Sequence, residues 1–209
     1  MSMQIDSARN DLLCMSERDF YIKYIVKTPN WYFSAYRNNN IGEMIAAIDH
    51  FRHIIADALS ISFHSAHIVG SAKVGFSLSP TAKAFKPFHD KNEKENSSDI
   101  DIAIVSNKYF DMFWELLRVN RRVQEKLIYG RIARTIFRGY LNDKDIKEIK
   151  QLRNKWHDII SPVNKKLQGD LGIIHPISYR VYRYWEDLEE YQMESIQKLK
   201  LKMIGEGAK

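Results

Sequence analysis

The chain has 209 residues, an apolar share of 44% and a formal charge of +6 at neutral pH, which fits one generous domain or a small domain with a helical annex. No apolar run approaches the roughly 20 residues needed to cross a bilayer, and the polar, mixed-charge start (residues 1–10) lacks the apolar centre of a secretory signal. The single cysteine, Cys14, excludes an internal disulfide and a cysteine-built zinc site. A cytoplasmic setting is therefore expected, and the modest basic excess favours polyanions: nucleotides, nucleic acids or acidic membrane surfaces.

Residues 6–40 read as two short helices broken at Thr28-Pro29, with a capping signal at Ser16 and Asp19 and with Phe20, Tyr24 and Ile25 on one face. Trp31, Tyr32, Phe33 and Tyr36 follow; aromatics at this density more often fill a core than stack on bases. After a break at Asn38-Asn39-Asn40, residues 41–59 carry apolar side chains at Ile41, Met44, Ile45, Ile48, Phe51, Ile55 and Leu59, the stripe of an amphipathic helix. His50 and His53 lie a turn apart with no third ligand at suitable spacing, so solvated or core-edge histidines are favoured over a metal site.

Residues 61–69 are apolar and rich in β-formers, a strand feeding Gly70-Ser71. Residues 77–98 lack clean periodicity and read as a long polar loop with room for one short helix. Loops of that length in compact domains are functional or mobile. The clearest strand is 99–106. Helical patterns resume at 108–117, continue with interruptions through Arg138, and return at 143–160, where Ile146, Ile149, Leu152, Trp156 and Ile159 form the buried stripe. A third strand is expected within 173–185 and a charged closing helix near 186–204. Interleaved helices and strands predict a mixed α+β fold, a small sheet covered by helices with further helices at both ends. Three segments are expected: helical 1–40, a core at 41–106, and a helical 107–209 with a returning strand, packed with the core as one unit.

Alternation along a strand puts Asp99 and Asp101 on one face and Ile100, Ile102 and Ile104 on the other. Residues two apart are separated by roughly 6.5–7 Å, and carboxylates at that spacing can converge on one magnesium or help hold two ions about 3.5–4 Å apart. Upstream, Gly70 lets backbone amides approach phosphate oxygens, Ser71 adds a hydroxyl, Lys73 adds positive charge and Gly75 permits another close turn. Alone, Gly70-Ser71 is equally an ordinary strand-ending turn. Followed by Asp-Ile-Asp, with both motifs at strand boundaries, it supplies donors for a triphosphate while the strand supplies acceptors for its metal.

The run IVGSAKVG followed by SSDIDIAIVS resembles the signature of the polymerase-beta nucleotidyltransferase superfamily: apolar strand, Gly-Ser, short helix, then a strand carrying Asp-x-Asp. The resemblance covers roughly residues 61–106, with the preceding helix also fitting, and does not reach the C-terminal half. It implies transfer of a nucleoside monophosphate from an NTP to an acceptor hydroxyl of an RNA end, protein or small molecule, with Mg2+ or Mn2+ and release of pyrophosphate. Asp99 and Asp101 are the expected catalytic, metal-binding residues; Gly70, Ser71, Lys73 and Ser98 are the expected nucleotide-binding residues.

Two departures stand out. The stretch between the motifs is longer than in minimal members. Family enzymes also commonly take a third carboxylate from a later strand, whereas residues 177–184 hold Tyr179, Arg180, Tyr182 and Arg183 and no acid. Asp170 is the nearest candidate. A missing third acid weakens deprotonation of the acceptor and leaves nucleotide binding possible. The alternative is thus an inactive relative that binds nucleotide, RNA or a partner protein, as in toxin-antitoxin pairs or defence systems. Arg118, Arg121, Arg122 and Lys126, then Arg131, Arg134 and Arg138, then Lys144, Lys147, Lys150, Arg153 and Lys155 offer either a surface for RNA phosphates or a solvated helix face interspersed with Glu125, Asp145 and Glu148. Arg180 and Arg183 are candidates to reach a triphosphate.

Overall fold

The computed structural model describes residues 2–81, 84–89, 98–119 and 126–207. Its strands are β1 (Ala66–Val69), β2 (Ile100–Val105), β3 (Tyr140–Asn142) and β4 (Ile177–Tyr182). Among the described residues these form one sheet in the order β1-β2-β4-β3, with β1 antiparallel to β2, β2 parallel to β4 and β3 antiparallel to β4. The helices are α1 (Ser2–Cys14), α2 (Glu17–Tyr21), α3 (Ile41–Leu59), α4 (Ser71–Val74), α5 (Asn107–Val119), α6 (Lys126–Phe137), α7 (Asp143–Glu148), α8 (Lys150–Leu171) and α9 (Trp185–Gly207). The fold is mixed α+β, mostly helical around a small mixed sheet. No helix among the described residues is long and apolar enough to cross a membrane.

The isoleucines of β2 sort the sheet into two faces. Ile100, Ile102 and Ile104 point into the main core with Ile68 of β1 and Tyr179 and Val181 of β4, beneath α3, α5 and α8. Each is at most 1% exposed, and full burial of such a side chain contributes about 1.5–3 kcal/mol. α8 supplies Leu152, Trp156, Ile160, Val163 and Leu167 to this core. The parallel β2–β4 pair requires a crossover, and the chain from α5 through α8 provides it on this apolar side.

The start of α3 is set by Asn40, whose Oδ1 accepts from the Glu43 amide (3.0 Å) while Glu43 Oε2 accepts from the Asn40 amide (2.9 Å), a reciprocal capping box. The expected stripe is buried only in its later part: Phe51, Ile55 and Leu59 are in the core, but Ile41 and Ile45 are 75% and 51% exposed because the first turns project past it. His50 faces Asp170 of α8 (3.7 Å) and His53 faces Asp57 (3.2 Å), both in solvent.

The N-terminal helices use a different core. Ile5, Ala8 and Leu12 of α1, with Phe20 and Tyr24, pack with Ile196 and Leu199 of α9 and with Val74, Phe76 and Phe85. The chain breaks first at Ser16, whose hydroxyl accepts from the Asp19 amide (3.1 Å), and again around Thr28-Pro29, between two wide π-type turns at Ile22–Val26 and Tyr32–Tyr36. Tyr32 and Phe33 are fully buried.

Four expectations change. The strand leading to Gly70 is four residues long, preceded by a 3-10 turn at Phe63–Ser65. The 143–160 helix divides at Ile149, which takes an extended conformation, and then runs on to Leu171. β3 has no counterpart in the periodicity, because three residues are too few to show alternation. Finally, the described part of 77–98 contains no helix and is anchored by apolar residues: Phe76 bridges to Pro87, the Ser77 amide donates to the Lys86 carbonyl (2.8 Å), and Phe85 and Phe88 are buried.

Candidate functional site

The second face of the sheet carries the polar chemistry. Paired positions share a face, so the register Val69↔Asp101↔Ser178 lines up the end of β1, the acidic strand and β4. Further along the same face lie Arg180 and Tyr182 of β4, facing Asn142 and Tyr140 of β3. α9 crosses this face, with Leu188 and Tyr191 packed on Val69, Ala103, Val105, Tyr140 and Tyr182. Between α9, the sheet and the stretches 77–80 and 86–89 opens a cleft of about 450 Å³.

All six sequence-predicted site residues (Gly70, Ser71, Lys73, Ser98, Asp99 and Asp101) line this one cleft. Gly70 bridges strand and turn. Its φ of 64° and ψ of −148° fall in a region essentially restricted to glycine. A Cβ placed there would sit 2.7 Å from Asp101 Oδ2. The missing side chain therefore allows both the turn and the close passage of the carboxylate. Gly75, with φ of 89°, closes α4, and a Cβ there would strike the Trp31 indole at 2.8 Å.

Asp101 is half-buried. Its Oδ1 accepts from the Ser178 hydroxyl at 2.5 Å, and its other oxygen leans on Gly70. Burial holds its carboxyl above the usual carboxylate range; neighbouring Asp99 pushes the same way, while Ser178, Arg180 and Lys144 oppose the rise. Two carboxylates that share a site disfavour ionisation of both until a cation arrives.

Lys73 lines the cleft, its ammonium donates to the Thr28 carbonyl at 2.6 Å, and burial, followed by Arg52, lowers its pKa. That bond ties α4 to the break before the second π-type turn and uses one of the three ammonium donors. Ser98 is tied to His89: its Oγ accepts from the His89 amide (3.1 Å), and its own amide donates to the His89 carbonyl (3.3 Å).

Asp170 does not line the cleft; it ends α8 facing His50 on the far side of the sheet. Asp99 and Asp101 are the only acidic residues among the described cleft lining. On β4, the strand next to Asp101, the cleft-side positions are Ser178, Arg180 and Tyr182. Among the described residues, no group of three or more His, Cys, Asp or Glu is placed to hold a metal. A two-carboxylate set fits Mg2+, which commonly binds through one or two carboxylates plus substrate phosphates and retained water.

The arginines separate. Arg183 lies against Asp111 (3.6 Å) and over the Phe110 ring on the α5 side, away from the cleft lining. Arg180 lines the cleft. The basic helices are largely answered where they stand: Arg118 pairs with Glu115, Arg131 with Asp145 and Glu148, Arg138 with Glu194, and Lys147 with Asp143. Arg121, Arg122 and Glu125 lie outside the described residues. Lys144, Lys150, Arg153 and Lys155 remain exposed. This pattern favours a solvated helix face. Sequence reasoning missed Ser178, Asn142 and Tyr191: only the register sets Ser178 beside Asp101 and Asn142 opposite Arg180, and only the packing of α9 brings Tyr191 over the guanidinium.

No protein-family model, curated protein or solved structure matches this chain.

Proposed function

We propose that this chain is a polymerase-beta-like nucleotidyltransferase that moves a nucleoside monophosphate from an NTP to an acceptor hydroxyl. The observation that carries the reading is the convergence of Gly70, Ser71, Asp99 and Asp101 on one cleft, with the glycine turn against the Asp101 carboxylate. The turn offers backbone amides and the Ser71 hydroxyl to the β- and γ-phosphates. Asp99 and Asp101 would hold Mg2+ or Mn2+ beside the α-phosphate. A bound ion would supply charge neutralisation on the phosphoryl oxygens.

In the reaction, the acceptor oxygen forms a bond to the α-phosphorus, and the bond from that phosphorus to the bridging oxygen breaks. The electron pair leaves with pyrophosphate and the hydroxyl proton passes to solvent. The chain's own contribution is positioning: Ser178 fixes the Asp101 carboxylate, and Gly70 leaves room for it. The test is incubation of the full chain with each labelled NTP, Mg2+ or Mn2+, and total cellular RNA and protein. Label should enter one acceptor class, with loss in Asp101→Asn. Unchanged transfer by Asp99→Asn and Asp101→Asn would remove the reading.

A second reading is favoured by one specific observation: the cleft-side positions of β4 hold Ser178 and Arg180 and no third acid. On that reading the chain binds nucleotide without turnover, as a sensor or as the partner of another protein. It predicts nucleotide binding by calorimetry and no pyrophosphate release with any NTP. Asp101-dependent release would eliminate it.

A further inference from the structure

Arg180 is the one cationic side chain of the described cleft lining that projects from the sheet face shared with Asp101. Its hold is unusual for a half-buried arginine, because its hydrogen-bond partners are uncharged. Nε donates to Asn142 Oδ1 at 2.7 Å, and Nη1 reaches the Tyr182 hydroxyl at 3.4 Å. The guanidinium lies 4.4 Å from the Tyr191 ring centre and 5.6 Å from that of Tyr140. Asn142 is itself oriented, since its Nδ2 donates to Asp145 Oδ2 at 3.3 Å, turning its oxygen toward Arg180. Unlike Arg131, Arg138 and Arg183, it has no ion pair among the described residues.

A guanidinium has five N–H donors in a planar fork, and this one spends two of them. A cation withdrawn from water without a direct counter-ion is costly. Rigid stacking with an open donor edge on a cleft is the arrangement that recognises a phosphate. Asp101 influences Arg180 through space, but its carboxylate is committed to Ser178 and to the Gly70 side.

The position of this group decides which phosphate it serves. Asp101 stands between the β1 end, with the Gly70-Ser71 turn, and β4 on the other side. Attacking and leaving oxygens lie roughly in line on opposite sides of the reacting phosphorus. With the leaving pyrophosphate on the turn, the acceptor enters from the β4 side, where Arg180 sits about 6–7 Å along the strand from Ser178. From this we infer that Arg180 binds a phosphate group of the acceptor, so that the acceptor carries a phosphate close to its reacting hydroxyl, as a nucleotide or an oligonucleotide end does. The assignment to the acceptor rests on the nucleotidyltransferase reading; the anion site itself does not.

Two measurements separate these levels. In 15N-labelled full chain, the Arg180 Nε–H resonance, identified by its loss in Arg180→Lys, is titrated with inorganic phosphate and, as an ionic-strength control, with chloride. The expected result is a saturable shift with phosphate only, retained in Gly70→Ala; no saturable shift, or an equal shift with chloride, overturns the anion site whether or not the chain is an enzyme. Where NTP turnover is observed with short oligoribonucleotides as acceptors, Arg180→Lys should raise the acceptor KM about tenfold and leave the NTP KM within twofold. A tenfold rise in the NTP KM with an unchanged acceptor KM reverses the assignment. A chain that shows the phosphate shift but turns over no NTP keeps the anion site and loses the acceptor assignment together with the catalytic reading.

Discussion

The two faces of the central sheet, built from alternate residues of the same strands, solve opposite problems. On one, Ile100, Ile102 and Ile104 disappear under three helices. On the other, one residue out of step, Asp101 and Arg180 stand half-exposed along a cleft, with Ser178 paired beside Asp101. The apolar face stabilises the fold through burial. The polar face places carboxylates together and an arginine that has no ion pair among the described residues, which works against stability in the free protein. The contrast shows that β2 is held from one side so that it can present charge on the other, and substitutions one residue apart should separate stability from ligand chemistry.

The largest effect is expected at the carboxylates. Asp99→Asn and Asp101→Asn should lower turnover by at least about a thousandfold while leaving far-UV circular dichroism and cooperative melting intact. Next to Asp101, Ile102→Ala should do the reverse, costing about 2–5 kcal/mol in denaturant unfolding with little change in nucleotide affinity under folding conditions. If Ile102→Ala abolished binding in the folded protein, or Asp101→Asn unfolded it, the division between the faces would fail.

Gly70→Ala belongs to both sides of the comparison. The backbone cost there is about 1–3 kcal/mol, and the added methyl would displace the Asp101 carboxylate. Both melting temperature and Mg2+-nucleotide affinity should fall together; a fall in only one would separate the turn from the carboxylate.

Much of this arrangement was legible in the sequence for local reasons. The alternation in residues 99–106 encodes the two faces, Asn40 and Glu43 encode the start of α3, and a glycine ending a strand implies a turn that only glycine accepts. What stayed hidden depends on distant partners. The hydrogen bond from the Lys73 ammonium to the Thr28 carbonyl, 45 residues earlier, has no signal in the sequence. Asp170 looks near to β4 along the chain, yet the end of α8 lies across the sheet. The role of Arg180 needs β3 beside β4 and Tyr191 overhead, and no periodicity announces a three-residue strand.

Smaller effects concern proton linkage. Ser178 opposes the rise in the Asp101 pKa, so Ser178→Ala should raise it further. The acidic limb of Mg2+-nucleotide binding against pH should move to higher pH, and an unmoved limb would show that Asp101 does not govern it.

The smallest expected change is in the stability of the free protein. The Asp101 pKa is raised on folding, so the folded state binds more protons than the unfolded state between the ordinary and the raised values, and stability falls as pH rises through that window. Above it the ionised carboxylate remains a liability, so Asp101→Asn should melt a few degrees higher at neutral pH. The difference should vanish in acid below the ordinary Asp range. A lower melting temperature for the variant at neutral pH would contradict a desolvated carboxylate that has no ion pair among the described residues.

The most direct test of the central claim is calorimetric titration of ATP, GTP, CTP and UTP into the full chain with and without Mg2+, repeated in Asp99→Asn/Asp101→Asn. Binding of at least one nucleotide that strengthens about tenfold or more with Mg2+, and loses that gain in the double variant, is the predicted result. Equal affinity with and without the ion, or an unchanged Mg2+ dependence in the double variant, would contradict a metal-nucleotide site built on Asp99 and Asp101.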